Sequence, residues 1–228
     1  IGVYSIMAVF NVMEKLGLSI DEVDALTGPI SGRPKSATFR TADVVGIDTL
    51  VKVAKNTYAD CPNDESRDMF IVPAYVEKLI ENKWLGDKTG NGFFKKVKNA
   101  EGKSEIHVLN LKTFEYTPSA KAKFATVDAA KQIDDVKSRI KALHHGTDKA
   151  GDFYRNVTAL VNKYVSFRIP EIADELYKID DAVKAGFGWE LGPFETWDVL
   201  GVEKTAQMME ASGFAPAAWV KEMTAAGN

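Results

Sequence analysis

A ten-residue pattern occurs twice in this chain, and that recurrence limits the possible folds more than any other feature. Phe39-Arg40-Thr41-Ala42-Asp43-Val44-Val45-Gly46-Ile47-Asp48 aligns without a gap with Phe194-Glu195-Thr196-Trp197-Asp198-Val199-Leu200-Gly201-Val202-Glu203. Five positions are identical, and Val45/Leu200, Ile47/Val202 and Asp48/Glu203 are conservative swaps. Upstream, Ile20-Asp21-Glu22-Val23 resembles Ile179-Asp180-Asp181-Ala182, with a four-residue difference in spacing. That difference falls in a Gly/Pro-rich stretch, where insertions cost little. Each copy therefore reads as a long helix, a short acidic-started helix, a Gly-Pro loop ending in Phe, and a helix with an early Asp and then Gly.

The repeated residues have structural readings. Asp43 and Asp198 are expected in a first helical turn, where a carboxylate is favoured. Gly46 and Gly201 cost helix propensity unless another helix crosses close by. Phe39 and Phe194 are expected to plug the core beneath the loop. The expected fold is all-α. Two repeated helical domains, 1–118 and a degenerate second copy at 119–228, are expected to pack with pseudo-twofold symmetry, as two chains of a homodimer would.

Local patterns fill in the elements. Ile6, Phe10, Met13 and Leu16 fall near helical spacing, with Gly17 as a stop. Ser19-Ile20-Asp21-Glu22 is a capping box that opens a short helix to about Leu26. The stretch from Thr27 to Lys35 is rich in Gly and Pro and reads as a loop. A helix is expected from Thr41, carrying Ile47, Leu50, Val51 and Ala54. Pro73 suits the first turn of another helix. Gly92-Phe93-Phe94 through Leu111 contains two short extended runs around a Gly-containing turn, which predicts a β-hairpin insertion near 92–111. After Pro118 the pattern is helical again. One helix is marked by Ile133, Val136, Ile140 and Leu143 and closed by Gly146, and a long one starts near Asp152. Pro170 should kink or restart that long helix.

Composition excludes several classes of function. With 228 residues, 45% of them hydrophobic, the chain can bury one large core or two small ones. Its 32 acidic and 29 basic residues give a net charge of -3, which provides no global pull toward nucleic acid. No apolar run approaches the ~20 residues that span a bilayer. Cys61 is the only cysteine, so no internal disulfide can form, and a cytoplasmic location is expected. No secretory leader is expected either. Ile1 through Phe10 already reads as the apolar body of a helix with no cap before it, so the chain is expected to be a fragment whose first helix begins upstream.

The residues that could carry chemistry favour a bland reading. Gly186-Phe187-Gly188-Trp189-Glu190-Leu191-Gly192 superficially suggests a dinucleotide turn. Leu191 stands where the third Gly belongs, and a helical pattern precedes the stretch where a strand is required. It is expected to be a helix-to-helix loop. His144-His145 is expected to be a solvated helix C-terminus, where imidazolium is mildly favoured. His107 is placed on a hairpin face, and Cys61 in a loop. No catalytic, cofactor-binding or metal-binding residue is assigned in the chain.

At this point a family resemblance emerges. Ser19 through Pro29, Gly32 through Asp48, and Lys88-Thr89-Gly90-Asn91-Gly92-Phe93-Phe94 resemble the C-terminal domain of 3-hydroxyacyl-CoA dehydrogenases. The second copy, Gly192-Pro193-Phe194 through Asp198 and Gly201, is similar to the same domain again. The resemblance covers residues 1 to about 98 and about 150 to 215, and leaves Lys98 to about Gly146 unmatched. It implies a parent enzyme of fatty acid β-oxidation that oxidises (3S)-3-hydroxyacyl-CoA and passes hydride to NAD, with an enoyl-CoA hydratase domain fused in multifunctional members. It also implies that the catalytic His-Glu pair and Asn lie outside this chain, so the chain alone would be inactive. Tyr4, Ser5 and Met7 follow the expected Asn and become candidates to line the acyl pocket. Arg33, Lys35 and Arg40 become candidates to contact CoA phosphates or the NAD-binding domain. For both sets, ordinary helix core and solvated loop charge are the competing readings. Two other functions stay open: a stand-alone helical interaction module, and the same domain in a dehydrogenase for other hydroxy acids.

Overall fold

The computed structural model describes residues 1–227. It contains twelve α-helices and one small antiparallel sheet among the described residues. The chain divides into two compact units, one formed by 9–28 and 35–123 and the other by 1–8, 29–34 and residues from Phe124 onward.

The unit built from 9–28 and 35–123 holds most of α1 (Gly2–Leu16), which stops at Gly17 with φ +63°. A left-handed residue there is a natural helix terminus for Gly, which has no Cβ to clash. Next is α2 (Ile20–Leu26), opened by the expected capping box: Ser19 Oγ accepts from the Glu22 amide, and the Glu22 carboxylate accepts from the Ser19 amide. α3 (Phe39–Val45) and α4 (Ile47–Asp60) then follow as two helices where sequence pattern predicted one. Gly46 separates them with φ +101°, a conformation that favours Gly. Its role is thus to turn the chain, and no crossing helix is needed to explain it. Asp43 consequently sits in the last turn of its helix and not the first. After α5 (Ala74–Glu81), β1 (Phe94–Lys98) and β2 (Ser104–Leu109) form the expected hairpin, with Lys96 opposite Ile106. A third strand not foreseen from sequence, β3 (Tyr116–Pro118), pairs with β2. It is only three residues long and ends in Pro, so it carries almost no alternation signal. Phe10, Phe39 and Phe93 meet at the centre of this unit with ring centroids 4.7–5.9 Å apart, and all three are fully buried.

The other unit holds α6 (Ala125–Ala130), α7 (Val136–His145), α8 (Lys149–Phe167), α9 (Leu176–Phe187), α10 (Pro193–Leu200), α11 (Val202–Ala211) and α12 (Ala218–Ala225). α8 begins three residues earlier than predicted, because the Asp148 side chain accepts from the Ala150 and Gly151 amides and caps it. It ends at Phe167, before the cis Ile169–Pro170 bond. Val157, Val161, Tyr164 and Val165 bury its inner face. Gly201, φ +87°, divides α10 from α11 as Gly46 divides α3 from α4. Asp198 likewise falls late in its helix and is exposed. Phe39 and Phe194 are both buried, as expected.

The upstream half of the repeat pairs differently from the sequence alignment. Asp24 accepts from the amides of Thr38, Phe39 and Arg40, and Asp180 accepts from those of Phe194 and Glu195. Both carboxylates therefore secure the start of the helix that begins the repeated segment. Asp24 precedes Phe39 by 15 residues and Asp180 precedes Phe194 by 14, so the copies differ here by one residue and not four. Asp180 thus corresponds in role to Asp24 and not to Asp21.

Candidate functional site

The candidate residues on α1 are packed into the helix core. Tyr4 is 1% exposed, stacks on Tyr164 with ring centroids 3.7 Å apart, and donates its hydroxyl to the Leu160 carbonyl at 3.3 Å. Ser5 donates to the Ile1 carbonyl at 3.1 Å, and Met7 is buried.

The three basic candidates have different surroundings. Arg33 is half-buried, with its guanidinium carbon 4.0 Å from the centre of the Trp189 ring. Burial lowers its pKa to about 10, still well above neutrality, so it stays charged. The segment around it is fixed in place: Gly32 accepts from the Glu190 amide at 2.8 Å, and Arg139 donates to the Ile30 carbonyl at 2.8 Å. A flat guanidinium over indole is a favourable use of Arg that Lys would not reproduce. Lys35 is exposed. Arg40 is exposed and grips Asp87 with both terminal nitrogens, and the hydrogen bond to Asp87 raises its pKa.

Three buried or partly buried carboxylates were not singled out as a group from sequence. Burial pushes Asp24 up to about 7, Asp43 to about 6 and Asp180 to about 6, in each case against the opposing pull of backbone amide donors. Each carboxylate is occupied by amides: Asp24 and Asp180 at helix starts, and Asp43 by the amides of Phe93 at 2.9 Å and Phe94 at 2.8 Å. Gly92 is required beside Asp43, since a Cβ there would lie 2.2 Å from the Asp43 Oδ1. The Lys88–Phe94 motif is therefore a clamp that ties the hairpin to α3. A raised pKa marks catalytic carboxylates in many enzymes. Here the hydrogen-bond partners give these groups a structural role.

His144 overturns its sequence reading. It is largely buried, with Nδ1 2.8 Å from the Ile140 carbonyl and Nε2 2.8 Å from Thr158 Oγ1. A carbonyl can only accept, so Nδ1 carries the proton and Nε2 accepts from Thr158. Burial lowers its pKa to about 4, so it is neutral at pH 7. Position at a helix end suggested solvation, but α8 packs over that end. His145, one residue on, is exposed.

Gly186–Gly192 is not a dinucleotide turn. It joins α9 to α10, whereas a pyrophosphate turn joins a strand to a helix. Among the described residues, no group of three or more His, Cys, Asp or Glu could hold a metal ion, and no helix is long and apolar enough to cross a membrane.

Most of the chain matches a known domain. The model of the family described as 3-hydroxyacyl-CoA dehydrogenase, C-terminal domain, matches residues 2–96 and 157–228. The chain belongs to this family. The two matched segments contain both copies of the repeat, and between them lie most of the sheet and α6–α7. A "Probable 3-hydroxyacyl-CoA dehydrogenase" of Bacillus subtilis (strain 168) is 43% identical over 228 residues, all of this chain but 28% of that protein. A Rickettsia felis protein whose name contains "fatty acid oxidation complex trifunctional enzyme" is 28% identical over 167 residues, 72% of this chain and 21% of that protein. The chain thus spans under a third of the length of these relatives. In fold it is similar to the crystal structure of 3-hydroxybutyryl-CoA dehydrogenase from Escherichia coli K12 substr. MG1655, with a TM-score of 0.55 at 14% identity, covering 97% of this chain and 57% of the other.

Proposed function

We propose that this chain is the C-terminal helical portion of an NAD-dependent (3S)-3-hydroxyacyl-CoA dehydrogenase of fatty acid β-oxidation. It supplies part of the acyl-CoA cleft and a dimer-like scaffold, and it is inactive alone. The observation that carries this reading is the family match over both copies of the repeat. In this reading 1–118 and 119–228 are the two copies, and the paired helix caps at Asp24 and Asp180 support their common design. Proton abstraction, hydride transfer and NAD binding fall to the remainder of the parent protein, which is cytoplasmic. The trifunctional name of one relative supports a fused enoyl-CoA hydratase as a further partner domain.

Of the six candidate residues, the exposed Lys35 and Arg40 are the proposed substrate contacts, whereas Tyr4, Ser5 and Met7 are buried and Arg33 lies on Trp189. Lys35 offers an exposed ammonium for CoA phosphate. The test is a spectrophotometric assay of the intact protein with 3-hydroxyacyl-CoA and NAD, beside the isolated chain. Activity of the former alone is expected. NAD reduction by the isolated chain, or none by the intact protein, would overturn the reading.

A further inference from the structure

In the unit built mainly from α6 to α12, a groove of about 680 Å³ opens between α8, α11 and the turn joining α7 to α8. That is within the size range of small-molecule sites. None of the candidate substrate-contact residues lines it.

The lining is chemically polarised. Leu200, Met208, Met209 and Phe214 give an apolar wall, with Ala159 on α8 among them. Met208 is 46% exposed, and its flexible thioether can adapt to a guest. The charged side chains that line the groove are Arg155 and Lys204, with His145 beside them, and no Asp or Glu contributes. Arg155 is tied to the carbonyls of His144 and Gly146 and to Asp152. His144 and Thr158 satisfy each other. Lys204, exposed on α11, presents its ammonium at the groove. An apolar wall under a cationic rim, with no carboxylate to compete, fits an anion that carries an alkyl body.

We propose that this groove binds a fatty carboxylate, its alkyl chain against Met208, Met209 and Phe214 and its carboxylate at Lys204. An alcohol of equal length lacks the charge and should bind more weakly. An acid of short chain lacks the apolar contact and should do the same.

The probe is decanoate labelled with carbon-13 at its carboxyl, titrated by NMR into the intact protein that carries this chain. A saturable bound signal is expected. Ala159→Phe fills the groove and should abolish it. Lys204→Glu, on an exposed helix face, leaves packing alone and should weaken binding at least about tenfold, the worth of one charge-assisted hydrogen bond. Decanol should fail to displace the signal at equal concentration. Absence of a bound signal, or a bound signal that both variants leave unchanged, would overturn the proposal.

Discussion

The Asp43 carboxylate accepts the backbone N–H of Phe93 across 50 residues of sequence, at 2.9 Å, and that of Phe94 at 2.8 Å. The Phe93 amide is buried, so its loss of partner is not repaired by water. Asp43→Ala should therefore cost roughly 3 kcal/mol, the sum expected for two stranded donors. Asp198 occupies the same repeat position but is exposed, and Asp198→Ala should stay within about 0.5 kcal/mol. Urea unfolding of the two variants checks this. Equal losses would mean that Asp43 acts through something other than those two amides.

Gly92 makes the same clamp testable from the other side. An added Cβ would lie 2.2 Å from Asp43 Oδ1 and 2.7 Å from the Gly86 Cα, and the latter is backbone that cannot swing away. Gly92→Ala should cost more than about 2 kcal/mol, the upper part of the range for overpacking. Gly90, two residues earlier, has φ +73° but open space around its Cα. Gly90→Ala should cost only about 1 kcal/mol, from backbone conformation alone. Similar melting temperatures for the two variants would contradict the steric account.

These contrasts show what the sequence carried. Residue identity at positions 43 and 198 revealed a repeat, and the helices, the Ser19 capping box and the hairpin all follow from local patterns. Burial of one Asp and exposure of the other does not, because it depends on amides brought from Phe93 and Phe94, far along the chain. Likewise Gly46 and Gly201 were visible as glycines, but their positive φ was not, and one helix was read where two exist. Asp24 was hidden for a related reason. Its partners are backbone groups, and backbone donors leave no letter to match. Arg33 was legible as a cation and Trp189 as an aromatic, but their stacking joins residues separated by most of the chain.

His144 should give this protein an acid-side weakness. Its pKa is lowered to about 4 by burial, so the folded state holds it neutral while the unfolded chain protonates near 6.5. Its contribution is present above the unfolded value and is lost as pH falls toward 4. Between pH 7 and pH 5 the loss amounts to about 2 kcal/mol. Asp24, raised to about 7, acts in the opposite sense: its stabilising effect is complete at low pH and fades as pH rises through 7. Asp43 and Asp180, each raised to about 6, act in the same sense as Asp24, so a wild-type curve alone would mix all four and the decisive comparison is with His144→Gln. The variant should be less stable at pH 7 but lose about 2 kcal/mol less than wild type on moving to pH 5. Parallel pH dependence in thermal unfolding would show that His144 does not titrate as described.

Arg33 and Lys35 separate packing from substrate contact. The Arg33 guanidinium lies on Trp189 and is half-buried, whereas Lys35 is exposed. Arg33→Lys keeps the charge but loses the guanidinium–indole contact, and should destabilise by about 1 kcal/mol in urea unfolding. Lys35→Ala should leave the unfolding midpoint within about 0.5 kcal/mol of wild type. In the intact protein, Lys35→Ala should instead raise KM for 3-hydroxyacyl-CoA several-fold with kcat unchanged, because a phosphate contact binds ground state and transition state alike. Its KM effect should shrink as salt rises, since an exposed ion pair is screened. A KM that does not move at low salt would remove Lys35 from the substrate-contact set and leave it as solvated loop charge.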